Sequence, residues 1–154
     1  MSDNPFLQQA ISLARENVQA GGRPFAALVV CNDEVVATGT NQMLALNDPT
    51  AHAELRALRQ AGEVLGRVRL EDCIVYASGQ PCPMCLAAMR MAGISQVYYA
   101  YSNQDAEPFG LSTEAIAEAL RVPPQQQSGL IFKQLKPQNE EQPALYRFWH
   151  TGQK

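Results

Sequence analysis

Apolar positions along the chain change period several times, and each change marks an element. Phe6, Leu7, Ala10, Ile11, Leu13, Ala14 and Val18 recur at helical spacing and predict a helix over 5–20, closed by Gly21-Gly22. Phe25–Cys31 and Val35–Thr40 are β-rich runs separated by Asn32-Asp33-Glu34, which reads as a hairpin. Asn47-Asp48-Pro49 predicts a helix start, with Asp48 as the cap and Pro49 at the first helical position, running toward Ala61-Gly62. Cys73–Ala77 is a strand of buried type, and Pro83–Ala92 a short apolar helix ended by Gly93. Beyond it the pattern gives a strand over Ile94–Tyr101, a helix over Ser112–Leu120 capped by Ser112, and a loop over Pro123–Ser128. A last strand over Leu130–Leu135 and a terminal helix over Pro143–His150 complete it.

Strands alternating with helices after an opening hairpin imply an α/β fold. The expectation is a three-layer α/β/α domain with a mixed five-stranded sheet and helices on both faces. A length of 154 residues fits one domain over 1–154. With 46% hydrophobic and 18% charged residues, the chain has the means to bury a core without disulfides. No apolar run approaches the ~20 residues of a membrane span, and Met1–Pro5 lacks the look of a signal peptide, so the expected compartment is the cytoplasm. The net charge is −3, and only three of the twelve cations are lysines. That balance argues against a nucleic-acid partner and for a small, uncharged substrate.

Four cysteines stand at 31, 73, 82 and 85. Cys31 and Cys73 fall in strand-like runs and read as buried small hydrophobes. Cys82 and Cys85 form a Cys-x-x-Cys after a strand and at a helix start, a spacing shared by metal sites and thiol–disulfide oxidoreductases. The second reading leaves His52 and Glu54, in His52-Ala53-Glu54, without a role.

Taken together, His52-Ala53-Glu54 and Pro81-Cys82-Pro83-Met84-Cys85 match the H-x-E…P-C-x-x-C signature of zinc-dependent nucleobase deaminases. Cys82 and Cys85 lie three apart across a helix's first turn, where the positive end of the helix lowers their pKa values. With His52 they give one nitrogen and two thiolates to a single Zn²⁺, leaving a fourth position for water. Zinc brings that water's pKa from 15.7 toward about 7, and Glu54 is placed to take its proton and later protonate the departing ammonia.

Around these motifs the chain resembles the cytidine-deaminase-like superfamily, and most of all its bacterial guanine deaminase branch. The resemblance covers residues 5–120 through Gly22-Arg23-Pro24-Phe25-Ala26-Ala27, Gly39-Thr40-Asn41, Asn47–Glu54 and Pro81–Leu86. It implies that Asn41 holds the base edge, that Phe25 walls the base pocket, and that Asp105, in Asp105-Ala106, lies near the substrate. It also implies a homodimer in which the C-terminal tail, about residues 143–154, crosses to a partner and closes the pocket with a terminal tyrosine, which this chain, ending Thr151-Gly152-Gln153-Lys154, lacks. Tyr146, Phe148 and Trp149 are the candidates to stand in for it.

One departure bears on the substrate. Where the branch reads Cys-Glu before Pro-Cys, this chain has Gly79-Gln80, which removes a carboxylate and makes Gln80 a candidate substrate-reading residue. The implied reaction is hydrolytic deamination of a free purine-type base, with guanine to xanthine plus ammonia first. The alternatives are adenosine in tRNA, a related heterocycle such as a pterin, triazine or cytosine, and a scaffold that keeps the fold without catalysis. The intact Glu54 argues against the last.

Overall fold

A computed structural model describes residues 4–139 and 141–152, which fall into two compact units divided between Ala119 and Leu120. The first unit is built on a mixed sheet of four strands: β1 (Ala26–Cys31), β2 (Glu34–Thr40), β3 (Cys73–Gly79) and β4 (Val97–Tyr101). Their spatial order is β2-β1-β3-β4, with β1 antiparallel to both neighbours and β3 parallel to β4. Asn32 and Asp33 both adopt positive φ, 52° and 64°, between β1 and β2. That is the backbone a two-residue primed turn needs, and Asn and Asp tolerate it.

Strand β1 is buried on both faces and divides the core in two. Leu28 and Val30 pack with Leu7 and Ala10 of helix α1 (Pro5–Gln19), together with Tyr76 of β3. Ala27, Val29 and Cys31 face the other way, against helices α3 (Ala53–Leu65) and α4 (Pro83–Met91). Period-two alternation along one central strand thereby generates the three layers. Asn4 starts α1 by accepting hydrogen bonds at Oδ1 from the N–H groups of Phe6 (2.9 Å) and Leu7 (3.0 Å), with Pro5 in the first turn.

Three expectations are corrected. The helix expected from Asp48 begins at Ala53, because Asp48 closes a local turn instead: its Oδ1 accepts from the Thr50 N–H (2.8 Å) and hydroxyl (2.7 Å). That helix also continues past Gly62 to Leu65 and ends on Gly66, at φ 67°. The sheet has four strands among the described residues, not five. Leu130–Leu135 makes no ladder, and Ile131 and Leu135 are each 88% exposed. A strand exists through pairing to a neighbour, which a hydrophobic pattern does not supply.

Short helices α2 (Met43–Leu46) and α5 (Asn103–Ala106) follow β2 and β4, and α6 is confined to Glu114–Ala119. Ser112 Oγ accepts from the Glu114 N–H at its start (3.1 Å). The second unit holds a 3₁₀ turn at Pro124–Gln126 and helix α7 (Ala144–Gly152). No described helix is long and apolar enough to cross a membrane.

Candidate functional site

Two helix N-termini converge beside the end of β3. His52 is the residue preceding α3 and Cys82 the residue preceding α4, and neither side chain caps its helix. The side chains turn toward each other instead. His52 Nδ1 lies 3.5 Å from Cys82 Sγ and 3.4 Å from Cys85 Sγ, and the two sulfurs are 3.6 Å apart. Zinc bonds of about 2.3 Å to sulfur and 2.0–2.1 Å to nitrogen set tetrahedral edges near 3.6–3.8 Å. The three donors therefore already sit close to three corners of one coordination tetrahedron, and among the described residues they form a metal-competent group.

The electrostatics suit a cation. A hydrogen bond to Cys85, then one to His52, brings the Cys82 thiol down to about 4, while the bond with Cys82 and burial push Cys85 well up. The pair thus favours one thiolate in place before a cation arrives. The hydrogen bond with Cys82 raises the His52 imidazole above its ordinary value, against the effect of burial. Both helix ends add positive potential where thiolates form.

Glu54 is buried in the first turn of α3, 7% exposed. Burial first, and the Cys82 thiolate after it, raise its carboxyl from 4.5 to about 7. A carboxyl poised there both accepts and returns protons near neutrality. It also interacts with the Cys85 thiol, which places it beside the metal ligands.

The remaining residues named from the sequence have defined places. Asn41, 5% exposed, follows β2; its Oδ1 accepts from the Met43 N–H (3.1 Å), and its Nδ2 meets only the Met43 thioether, at 3.4 Å. Phe25 packs its ring over Gly79, where a Cβ would fall 3.1 Å from Cε1. Gln80 accepts at Oε1 from the Asn103 N–H (2.9 Å), and its own N–H donates to the Tyr101 carbonyl (2.8 Å). Asp105 Oδ2 accepts from the N–H and hydroxyl of Ser102, at 2.9 and 3.1 Å, closing a capping box on α5.

Two supporting residues escaped the sequence reading. Asn17 donates from Nδ2 to the carbonyls of Arg23 (2.8 Å) and Asn41 (3.0 Å), clamping the segments that carry Phe25 and Asn41. Its signal was available: it continues the buried face of Leu7, Ala10 and Ala14 with a polar side chain. Asn103 links Gln80 to Thr113, whose N–H and hydroxyl both reach its Oδ1 at 3.3 Å. No spacing in the sequence announces that contact.

A three-ligand His-Cys-Cys centre with a buried carboxylic acid on a three-layer α/β/α scaffold defines a zinc-dependent hydrolytic deaminase. Residues 1–101 match the cytidine and deoxycytidylate deaminase zinc-binding region, and the chain belongs to that family. That family's zinc-binding region supports one Zn²⁺, and His52, Cys82 and Cys85 form a group that could hold it.

The chain is 42% identical over 129 residues to the guanine deaminase of Bacillus subtilis (strain 168), covering 83% of each protein. The X-ray structure of guanine deaminase from Bacillus subtilis superposes with a TM-score of 0.88 at 38% identity, over 98% of this chain and 95% of that one. A tRNA-specific adenosine deaminase of Agrobacterium fabrum is 38% identical over 94 residues, covering 61% of this chain and 62% of its own length.

Proposed function

We propose that this protein deaminates a free purine-type base by hydrolysis, with guanine, water, xanthine and ammonia as the first reactants and products to test. The observation that carries the reading is the burial of Glu54 beside the His52–Cys82–Cys85 group. Similarity to the Bacillus subtilis guanine deaminase supports the choice of base.

When bound, Zn²⁺ supplies Lewis-acid polarisation and a water of low pKa. His52, Cys82 and Cys85 would hold it, and two thiolates with a neutral imidazole would balance its charge. Glu54 moves the protons: its carboxylate takes one from the attacking water and passes it to a ring nitrogen, then takes the remaining proton of the added hydroxyl, as the carbonyl forms, and delivers it to the amino group that leaves as ammonia. Asn41 offers an amide hydrogen to the base edge, since its Oδ1 accepts from the Met43 N–H and its Nδ2 is otherwise held only by the weakly accepting Met43 thioether. Phe25 offers a ring face as one wall. Asp105 supports the substrate region by holding α5 in place through its capping box.

Adenosine in tRNA is the second reading, motivated by the Agrobacterium relative. A net charge of −3 and three lysines oppose it, because a tRNA backbone is held by cations. A homodimer is supported by the second unit, where Tyr146, Phe148 and Trp149 of α7 are all exposed. Apolar surface of that kind marks an interface, and exchange of residues 143–154 would cover it.

The test is ammonia release from guanine, adenine, cytosine, a pterin, a triazine and tRNA by zinc-loaded protein. Turnover of guanine or a related free base supports the reading. Turnover of tRNA alone replaces it with the second.

A further inference from the structure

A second convergence of metal-ligating side chains lies at the opposite end of β3. Cys31, the last residue of β1, pairs directly with Cys73, the first of β3, in antiparallel register. The Cys73 N–H turns away to the Leu70 carbonyl (3.0 Å), so this is a narrow pair without mutual backbone bonds, the kind that brings side chains closest. Both sulfurs point to one carboxylate. Cys31 Sγ lies 3.3 Å from Asp72 Oδ2, and Cys73 Sγ lies 3.7 Å from Asp72 Oδ1. One donor atom from each of the three residues lies within 4.8 Å of the others. β3 spans seven residues, which separates this cluster from the His52 centre by roughly 20 Å at about 3.3 Å per residue.

We propose that Cys31, Cys73 and Asp72 form a second binding site, specific for a thiophilic divalent cation. As at the first centre, the side chains of three residues bring one donor each within 4.8 Å of the others, with Asp72 offering an oxygen to each sulfur. Two soft sulfurs and one oxygen select Zn²⁺ or Cd²⁺ over Mg²⁺ or Ca²⁺. Charge agrees: two thiolates and a carboxylate exceed a divalent ion by one negative charge. The Arg67 guanidinium, 2.7 Å from Asp72 Oδ1, matches that excess.

Access runs through Asp72, whose side chain is half exposed, while both cysteines are buried. Burial, and then the neighbouring Cys31, push the Cys73 thiol up to about 12. Binding therefore displaces protons and strengthens as pH rises. The same carboxylate argues against a disulfide as the pair's purpose. A fixed negative charge suppresses the thiolate that oxidation requires, whereas a cation turns that charge into a ligand.

The test is equilibrium dialysis of zinc-loaded full-length protein, kept reduced with a phosphine, against Cd²⁺ at pH 8, with total metal counted per chain. The wild type is expected to reach two metal ions per chain. Cys31→Ser should stop at one, and Asp72→Asn, a surface change that spares the core, should bind the second ion at least about tenfold more weakly. Both variants should keep the first ion and the deaminase activity. Saturation of the wild type at one ion overturns the proposal, as does a second ion held equally well by both variants. A Cys31–Cys73 cystine in air-exposed protein, with no second ion after reduction, overturns it too. Since the count is independent of turnover, failure of the deaminase reading leaves this test intact.

Discussion

Gly39 of β2 presses against Ala53 in the first turn of α3 so closely that a Cβ there would collide with the Ala53 carbonyl oxygen and lie 2.6 Å from the Ala57 nitrogen. The obstacle is backbone, so nothing can rotate aside. Ala53, Ala57 and Ala61, all fully buried, extend the same close approach along the helix. This contact fixes the turn that begins with His52 and carries Glu54. Gly39→Ala should therefore displace the metal ligand and the acid together. The overpacking cost is about 1–3 kcal/mol, enough to lower Tm by several degrees, and kcat should fall well beyond the loss of folded protein. Thermal melts paired with ammonia release check it. Unchanged Tm and turnover would show that α3 can retreat without disturbing the site.

Zinc should stabilise the fold as well as enable the reaction, because its ligands come from the starts of two helices, α3 and α4, which no disulfide joins. Cys85→Ser should lose most bound zinc, and chelation of the wild type should lower its Tm while leaving the variant's nearly unmoved. Elemental analysis with paired melts decides the matter. A variant that retains full zinc removes Cys85 from the ligand set.

Glu54→Gln keeps size and burial but cannot shuttle a proton. Zinc content and affinity for a base analogue should stay near wild type, while kcat drops by at least the 10²–10⁴-fold typical of general acid–base catalysis. Activity within about tenfold of wild type would falsify the proton-transfer role.

Much of this site was legible in the sequence for a physical reason. His52, Cys82 and Cys85 are named by spacing because each sits at a helix start, where three or four residues return the chain to the same side. Helices α1 and α4 were legible because their apolar periodicity and terminal Pro and Gly signals agree. What stayed hidden depends on partners distant in the chain. Asp48 carries the chemistry of a helix cap, but Thr50 claims its carboxylate first. Leu130–Leu135 carries the apolar run of a strand but has no ladder. Cys31 and Cys73 read as separate apolar residues until the β1–β3 register places them side by side with both sulfurs at Asp72.

Gln80 is held at one end and open at the other. Its Oε1 is fixed by the Asn103 N–H, which settles the orientation of the amide and leaves Nε2 with two donor hydrogens. A glutamate would accept the same Asn103 bond with one oxygen and present a second, charged acceptor where Gln80 presents donors. Gln80→Glu should therefore retain α5 and the bound zinc while reversing the hydrogen-bonding character of this lip beside Pro81 and Cys82. Mismatched buried polar groups discriminate strongly between substrates, so the ratio of kcat/KM for guanine to that for the best alternative base should rise by about tenfold or more. Gln80→Leu separates this effect from anchoring: it breaks the Asn103 bond and should depress kcat/KM for every base alike. Measuring both ratios in the three proteins decides it. If Gln80→Glu leaves the ratio unchanged while Gln80→Leu lowers all rates, Gln80 only positions the loop through Asn103 and Thr113, and the reading of the base passes to Asn41 and Phe25.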